Sequence, residues 1–86
     1  MNFFKKMKIP AFSENIIKDY GVINEYNKGI AKFRHNLLLV ERFGKKKIVI
    51  REKTTLIGGE VRHFQFDEQG ARRLKDALDD ALKRMQ

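Results

Sequence analysis

The stretch LLLVERFGKKKIVIREK (residues 37–53) decides the fold. Its apolar residues recur with period two, the signature of extended chain whose successive side chains point to opposite faces. Leu37, Leu39 and Phe43 share one face, with Leu38, Val40 and Arg42 on the other. After the break at Gly44, Ile48 and Ile50 share one face, and Lys47, Val49, Arg51 and Lys53 share the other. Leu37–Val40 is apolar on both faces, which predicts an interior strand or an interface. Gly44-Lys45 reads as a tight turn between the two strands.

Working outward, IAKFR (30–34) alternates with Ile30, Lys32 and Arg34 on one side and Ala31 and Phe33 on the other. Asn27-Lys28-Gly29 reads as a turn before it. Upstream, Ser13 is a plausible N-cap and Gly21 a stop, which predicts a short helix over 14–20; VINEY (22–26) reads equally well as a strand. Gly58-Gly59 predicts a hairpin turn, and EVRHFQF (60–66) a further strand. Asp67 then reads as a helix N-cap, with Glu68 in the first turn. Ala71, Leu74, Leu78, Ala81 or Leu82, and Met85 form one narrow apolar stripe on that helix. The fold class predicted is α+β: a curved antiparallel sheet of about four strands followed by a C-terminal helix, ββββα, expected to be dimeric. Residues 1–12 read as a flexible basic arm, and 13–86 as a single nucleic-acid-binding domain.

Composition narrows the function. With 42 % hydrophobic and 35 % charged residues the chain is globular rather than disordered. A chain of 86 residues supports only a modest core, and without cysteine a second subunit is the natural source of extra burial. No apolar run reaches the length of a membrane span, and the first residues lack a signal-peptide core. The expectation is a cytoplasmic protein with no membrane partner. Of the net charge of +8, residues 28–53 alone contribute +7. Charge concentrated in this way suits a polyanion site.

Catalytic chemistry is poorly supplied. Ser13 is the only serine. His35 and His63 fall on different predicted strands, with no acid placed to orient either. Two histidines and scattered carboxylates do not make a metal site. Asp79 and Asp80 point in different directions around the helix and read as solvated. No catalytic residue, metal or cofactor is expected; a basic ribonuclease is the enzymatic alternative.

Binding chemistry is better supplied. Lys47, Arg51 and Lys53 share a strand face, and Arg34 and Arg42 can widen the ladder across neighbouring strands. Lys45 and Lys46 complete the run, and Phe43 and Phe33 add rings on which unpaired bases can stack. Each ring has a plainer reading as core, and each lysine as a solvated turn residue.

VERFGKKKIVIREK (40–53) and FQFDEQGARRLKDAL (64–78) resemble the transcriptional positive cofactor four family of single-stranded-DNA-binding coactivators. The resemblance covers about residues 30–85. It implies a homodimer with curved basic channels, and DNA contacts at Phe43, Lys45, Lys46 or Lys47, and Arg51, with Arg34 on the preceding strand. After Arg51-Glu52 the family carries aromatic residues, where this chain has Lys53-Thr54. A second resemblance, to the arm-binding domains of tyrosine integrases, implies duplex preference and leaves 14–34 without a role. The expectation is a non-catalytic binder of nucleic acid, a transcription or replication accessory factor that favours single-stranded DNA. RNA is the alternative nucleic acid, and Leu74, Leu78 and Leu82 are the core or dimer positions of the helix. The rival reading is a protein-interaction regulator that docks on an acidic partner.

Overall fold

A computed structural model describes residues 15–56 and 58–86. The expected arm at 1–12 and the cap at Ser13 lie outside the described residues. Four strands, β1 (Asn15–Lys28), β2 (Ala31–Arg42), β3 (Lys45–Thr55) and β4 (Glu60–Phe66), form one antiparallel sheet in the order β1-β2-β3-β4. The sheet is curved and unclosed, and helix α1 (Glu68–Met85) follows it. No helix among the described residues is long and apolar enough to cross a membrane.

The β2–β3 hairpin is the centre of the sheet. Its register runs without a break from Arg42 opposite Lys45 to Lys32 opposite Thr55. The two alternating stretches 30–34 and 37–43 are therefore one strand. The connection is the two-residue loop Phe43-Gly44, one residue earlier than the sequence suggests, because Lys45 already belongs to the ladder. Phe43 and Gly44 have φ of 52° and 77°, the left-handed pair that a type I′ hairpin turn demands.

The described residues before Gly29 are not helical. Residues 15–28 form the edge strand β1, and the expected helix over 14–20 is replaced from Asn15 onward. Ile16, Ile17, Tyr20, Val22, Ile23 and Tyr26 are β-branched or aromatic, which suits a pleated surface. Three register shifts, between Ile16 and Lys18, Asp19 and Val22, and Val22 and Asn24, break the period of two. At the second shift Gly21 takes φ 88°, and its N–H donates to Asp19 Oδ1 at 2.8 Å. A glycine that looks like a helix stop is thus the pivot of a bulge. The turn into β2 is Gly29-Ile30 rather than 27–29, since Lys28 pairs with Ala31.

Helix α1 begins as its sequence predicts. Asp67 is the N-cap, and its Oδ1 accepts from Gly70 N–H at 2.8 Å. Glu68 lies in the first turn, and Lys83 and Arg84 in the last, each favourable to the helix dipole. The helix touches β3 and β4, yet none of its residues is buried. Leu74 is half-buried, while Leu78 and Leu82 are 52 % and 55 % exposed. Only Leu38, Val40 and Val49 of the apolar residues described are fully buried. Leu38 and Val49 are cross-strand partners, and Val40 is two residues along, so this core is one small cluster on β2 and β3.

The left-handed backbone at Phe43 costs roughly 1 to 2 kcal/mol in a residue with a Cβ. Its ring is 89 % exposed, so burial recovers almost none of this. The guanidinium of Arg42 lies 5.0 Å from the ring centroid, an exposed contact that contributes about 0.5 to 1 kcal/mol. Asn tolerates the left-handed region and is favoured in such turns. Phe43→Asn should therefore raise stability by roughly 0.5 to 1 kcal/mol. Urea denaturation followed by circular dichroism measures this, and a lower midpoint would contradict the account of the turn.

Candidate nucleic-acid interface

The register sorts the charges of the central strands onto two faces. Residues opposite one another in an antiparallel pair project to the same side. One side receives Lys32, Arg34 and Arg42 from β2, and Lys45, Lys47, Arg51 and Lys53 from β3. From β4 it receives Val61, His63 and Gln65. No acid from β2, β3 or β4 points this way. Glu41, Glu52 and Glu60 all project to the other side, together with Lys46 and Arg62. Nearly all the cations of the basic stretch thus share one face.

This basic face has a closed centre. Leu38, Val40 and Val49 project to it and have no accessible surface. The cations stand around that aliphatic patch: Arg42, Lys45 and Lys47 towards the β2–β3 turn, and Lys32, Arg34, Arg51 and Lys53 towards the other end. Lys47 and Arg34 of this group make side-chain contacts within the sheet. Lys47 Nζ donates to Gln65 Oε1 at 2.9 Å, and Arg34 Nε donates to Glu25 Oε2 at 2.7 Å. Glu25 comes from β1, which supplies the acid that the central strands withhold. Both partners of that pair are about half exposed, so its contribution to stability is small.

Of the expected site residues, Arg34, Arg42, Lys45, Lys47, Arg51 and Lys53 come together on this face. Phe43 stands at its end, in the turn. Lys46 does not join them: it pairs with Glu41 and projects to the opposite side, because the period of two separates it from Lys45 and Lys47. Lys32 belongs with the group; its even spacing from Arg34 is the signal that places it there. Phe33 is on the opposite face, stacked on Tyr26 with ring centroids 4.9 Å apart and planes 10° from parallel. It serves the sheet rather than the basic surface.

The opposite face also corrects the reading of His35. An acid does orient it: Glu52, its cross-strand partner, places Oε2 3.0 Å from His35 Nε2. Asn24 Nδ2 lies 3.2 Å from His35 Nδ1. A neutral ring satisfies both contacts by donating from Nε2 and accepting at Nδ1. Tyr26 stacks on the ring at 6.1 Å. No nucleophile joins this row, and among the described residues no group of three or more His, Asp or Glu side chains is placed to hold a metal.

Two further rows of the opposite face are apolar. Leu37–Ile50–Phe64 and Leu39–Ile48–Phe66 run across β2, β3 and β4. They are only partly covered, and Phe64 is 44 % exposed. Glu68, Asp79 and Asp80 are engaged within the helix, by Arg72–Glu68 at 2.7 Å, Lys75–Asp79 at 3.6 Å and Arg84–Asp80 at 2.8 Å.

Comparison with protein-family models, curated proteins and solved structures finds no match. The two family resemblances therefore stand on the residues that carry them. Residues 15–28 are a strand of the same sheet, an element for which the integrase resemblance has no counterpart.

Like charges two residues apart on a strand lie about 7 Å from one another, within the screening length of about 10 Å at 0.1 M salt. The crowded basic face should therefore destabilise the fold at low salt. Raising NaCl from 0.05 M towards 1 M, where screening shortens to about 3 Å, should raise the thermal midpoint by a few degrees. A midpoint that falls with added NaCl would show that attractive pairs, not this repulsion, dominate.

Proposed function

We propose that this protein is a non-catalytic nucleic-acid-binding protein that favours single-stranded DNA and acts as a homodimer. The observation that carries the reading is Phe43. A bulky aromatic residue is held in a left-handed turn at a cost to the fold, almost fully exposed, beside Arg42 and at the end of the basic face. Stability alone favours Asn or Gly at this position. An unpaired base offers what the exposed ring lacks, a flat partner to stack on, while the phosphates on either side of it meet cations. The closed aliphatic centre of the face offers no second platform, so phosphate neutralisation supplies most of the affinity and Phe43 the preference for single strands.

A panel of labelled single-stranded DNA, duplex DNA and RNA tests this reading. Affinity for the single strand should fall steeply with salt. Changing Lys47, Arg51 and Lys53 together to Ala should lower that log–log slope by about two to three units, roughly one per lost phosphate contact. Phe43→Asn should reduce affinity for single strands at least fivefold, the lower end of what one stacked base contributes, and affect duplex binding little. Lost affinity in a variant of raised stability separates a binding role from a structural one. Absence of binding to all three nucleic acids at low salt would sink the proposal. Duplex preference would favour groove recognition by the sheet.

The homodimer rests on the apolar surface left open on the other side. Leu78 and Leu82 are half exposed, and Phe64, at the end of the Leu37–Ile50–Phe64 row, is 44 % exposed. A domain this small, with three fully buried apolar side chains among the described residues, gains most from covering that surface with a second copy. Leu78→Asp should shift sedimentation from dimer to monomer or unfold the chain. A folded variant of unchanged mass removes the helix from the interface.

A further inference from the structure

A groove of about 350 Å³ opens between the first half of α1 and the sheet, on the side opposite the basic face. Its floor is apolar, formed by Leu39, Ile48 and Ala71. Lys46, Arg72 and Lys75 stand around it, with Glu68 as the one acid. Arg72 bridges Glu68 at 2.7 Å, which leaves the surroundings of the groove cationic overall. Lys46, set apart from the basic face by strand alternation, finds its place here. Lys47 borders the groove as well, so the two cationic surfaces adjoin.

We propose that this groove takes a nucleobase from a single strand that has passed the β2–β3 turn, with the flanking phosphates on Lys46 and Lys75. The proposal rests on the nucleic-acid reading above and extends it to a second base site. Two features select this occupant. An apolar slot with cations at its edge matches a flat base joined to phosphates, and the volume lies in the range of small-ligand pockets. Phe43 and Lys46 occupy the same end of the sheet, on and just after the β2–β3 turn, so a strand stacked on Phe43 can bend over the turn to the other side. Glu68, Arg72 and Lys75 follow one another at helix spacings of four and three, on the flank beside the Leu74–Leu78–Leu82 stripe. A base held on that flank leaves those three leucines to the subunit contact.

Ala71→Leu tests the groove by filling it without altering charge or helix propensity greatly. Affinity for a long single strand should fall about fivefold or more, with the salt slope unchanged, because a base site and not a phosphate contact is lost. A strand too short to pass the turn should bind the variant as it binds the wild type. Wild-type affinity of Ala71→Leu for the long strand would overturn the proposal, while the effects of Lys47, Arg51 and Lys53 would still support the basic face. A change of sedimentation mass together with affinity would also overturn it, by assigning the groove to a subunit contact. Should Ala71→Leu not fold, Lys46→Gln with Lys75→Gln decides: the slope should fall by about one to two units, and an unchanged slope rejects the site. If the wild type binds no nucleic acid, the groove proposal and the broader reading fall together.

Discussion

The register of the β2–β3 hairpin is the constraint on which the rest depends. Side chains alternate strictly along a strand, so a slip of one residue moves every side chain of that strand to the other face. Here the two-residue turn at Phe43-Gly44 fixes the pairing, and the buried partners Leu38 and Val49 enforce it from the middle of the ladder. Everything chemically distinctive follows from that one registration. With Val49 inward, Lys45, Lys47, Arg51 and Lys53 must share its face, and Glu52 must leave it. A shift would scatter the cations, bury charge and expose the small core.

The same registration explains why the two faces divide their work. The basic face carries Leu38, Val40 and Val49, which have no accessible surface, with its cations around them. The opposite face holds the His35–Glu52 contact, the Tyr26–Phe33 stack and two half-covered apolar rows. That apolar surface adjoins a helix that buries none of its own residues.

Much of this was legible in the sequence because β2, β3, β4 and α1 obey their own local rules. Strict alternation identifies the central strands, and Asp67 caps the helix as expected. The edge strand is legible only in part: VINEY (22–26) reads equally well as a strand, while 15–20 reads as helix. Its bulges interrupt alternation, and the Asp19–Gly21 contact gives it the look of a helix end. The turn was displaced by one residue because glycine drew it to Gly44, whereas the left-handed conformation extends back onto Phe43. Lys46 was grouped with its neighbours in sequence although a pleated strand sends neighbours apart. The Glu52–His35 contact was missed because it depends on cross-strand pairing, which no single strand's pattern contains.

Phe43 is where the two levels disagree most, and the disagreement is informative. Local preference at the first position of a left-handed turn points to Asn, Asp or Gly, and solvent exposure argues for a polar residue. Packing does not override either preference, since the ring touches little beyond the guanidinium of Arg42. A residue that satisfies neither local backbone preference nor core packing is what supports the proposed contact with a ligand. Among ligands suited to a cationic face, one that combines negative charge with flat apolar surfaces uses both halves of the Arg42–Phe43 pair. An acidic peptide uses the guanidinium and gains less from the ring. A duplex uses the charge and keeps its bases stacked within itself. A single strand uses both, and for that reason the geometry of one strained turn weighs more in the functional reading than the charge count from which it began.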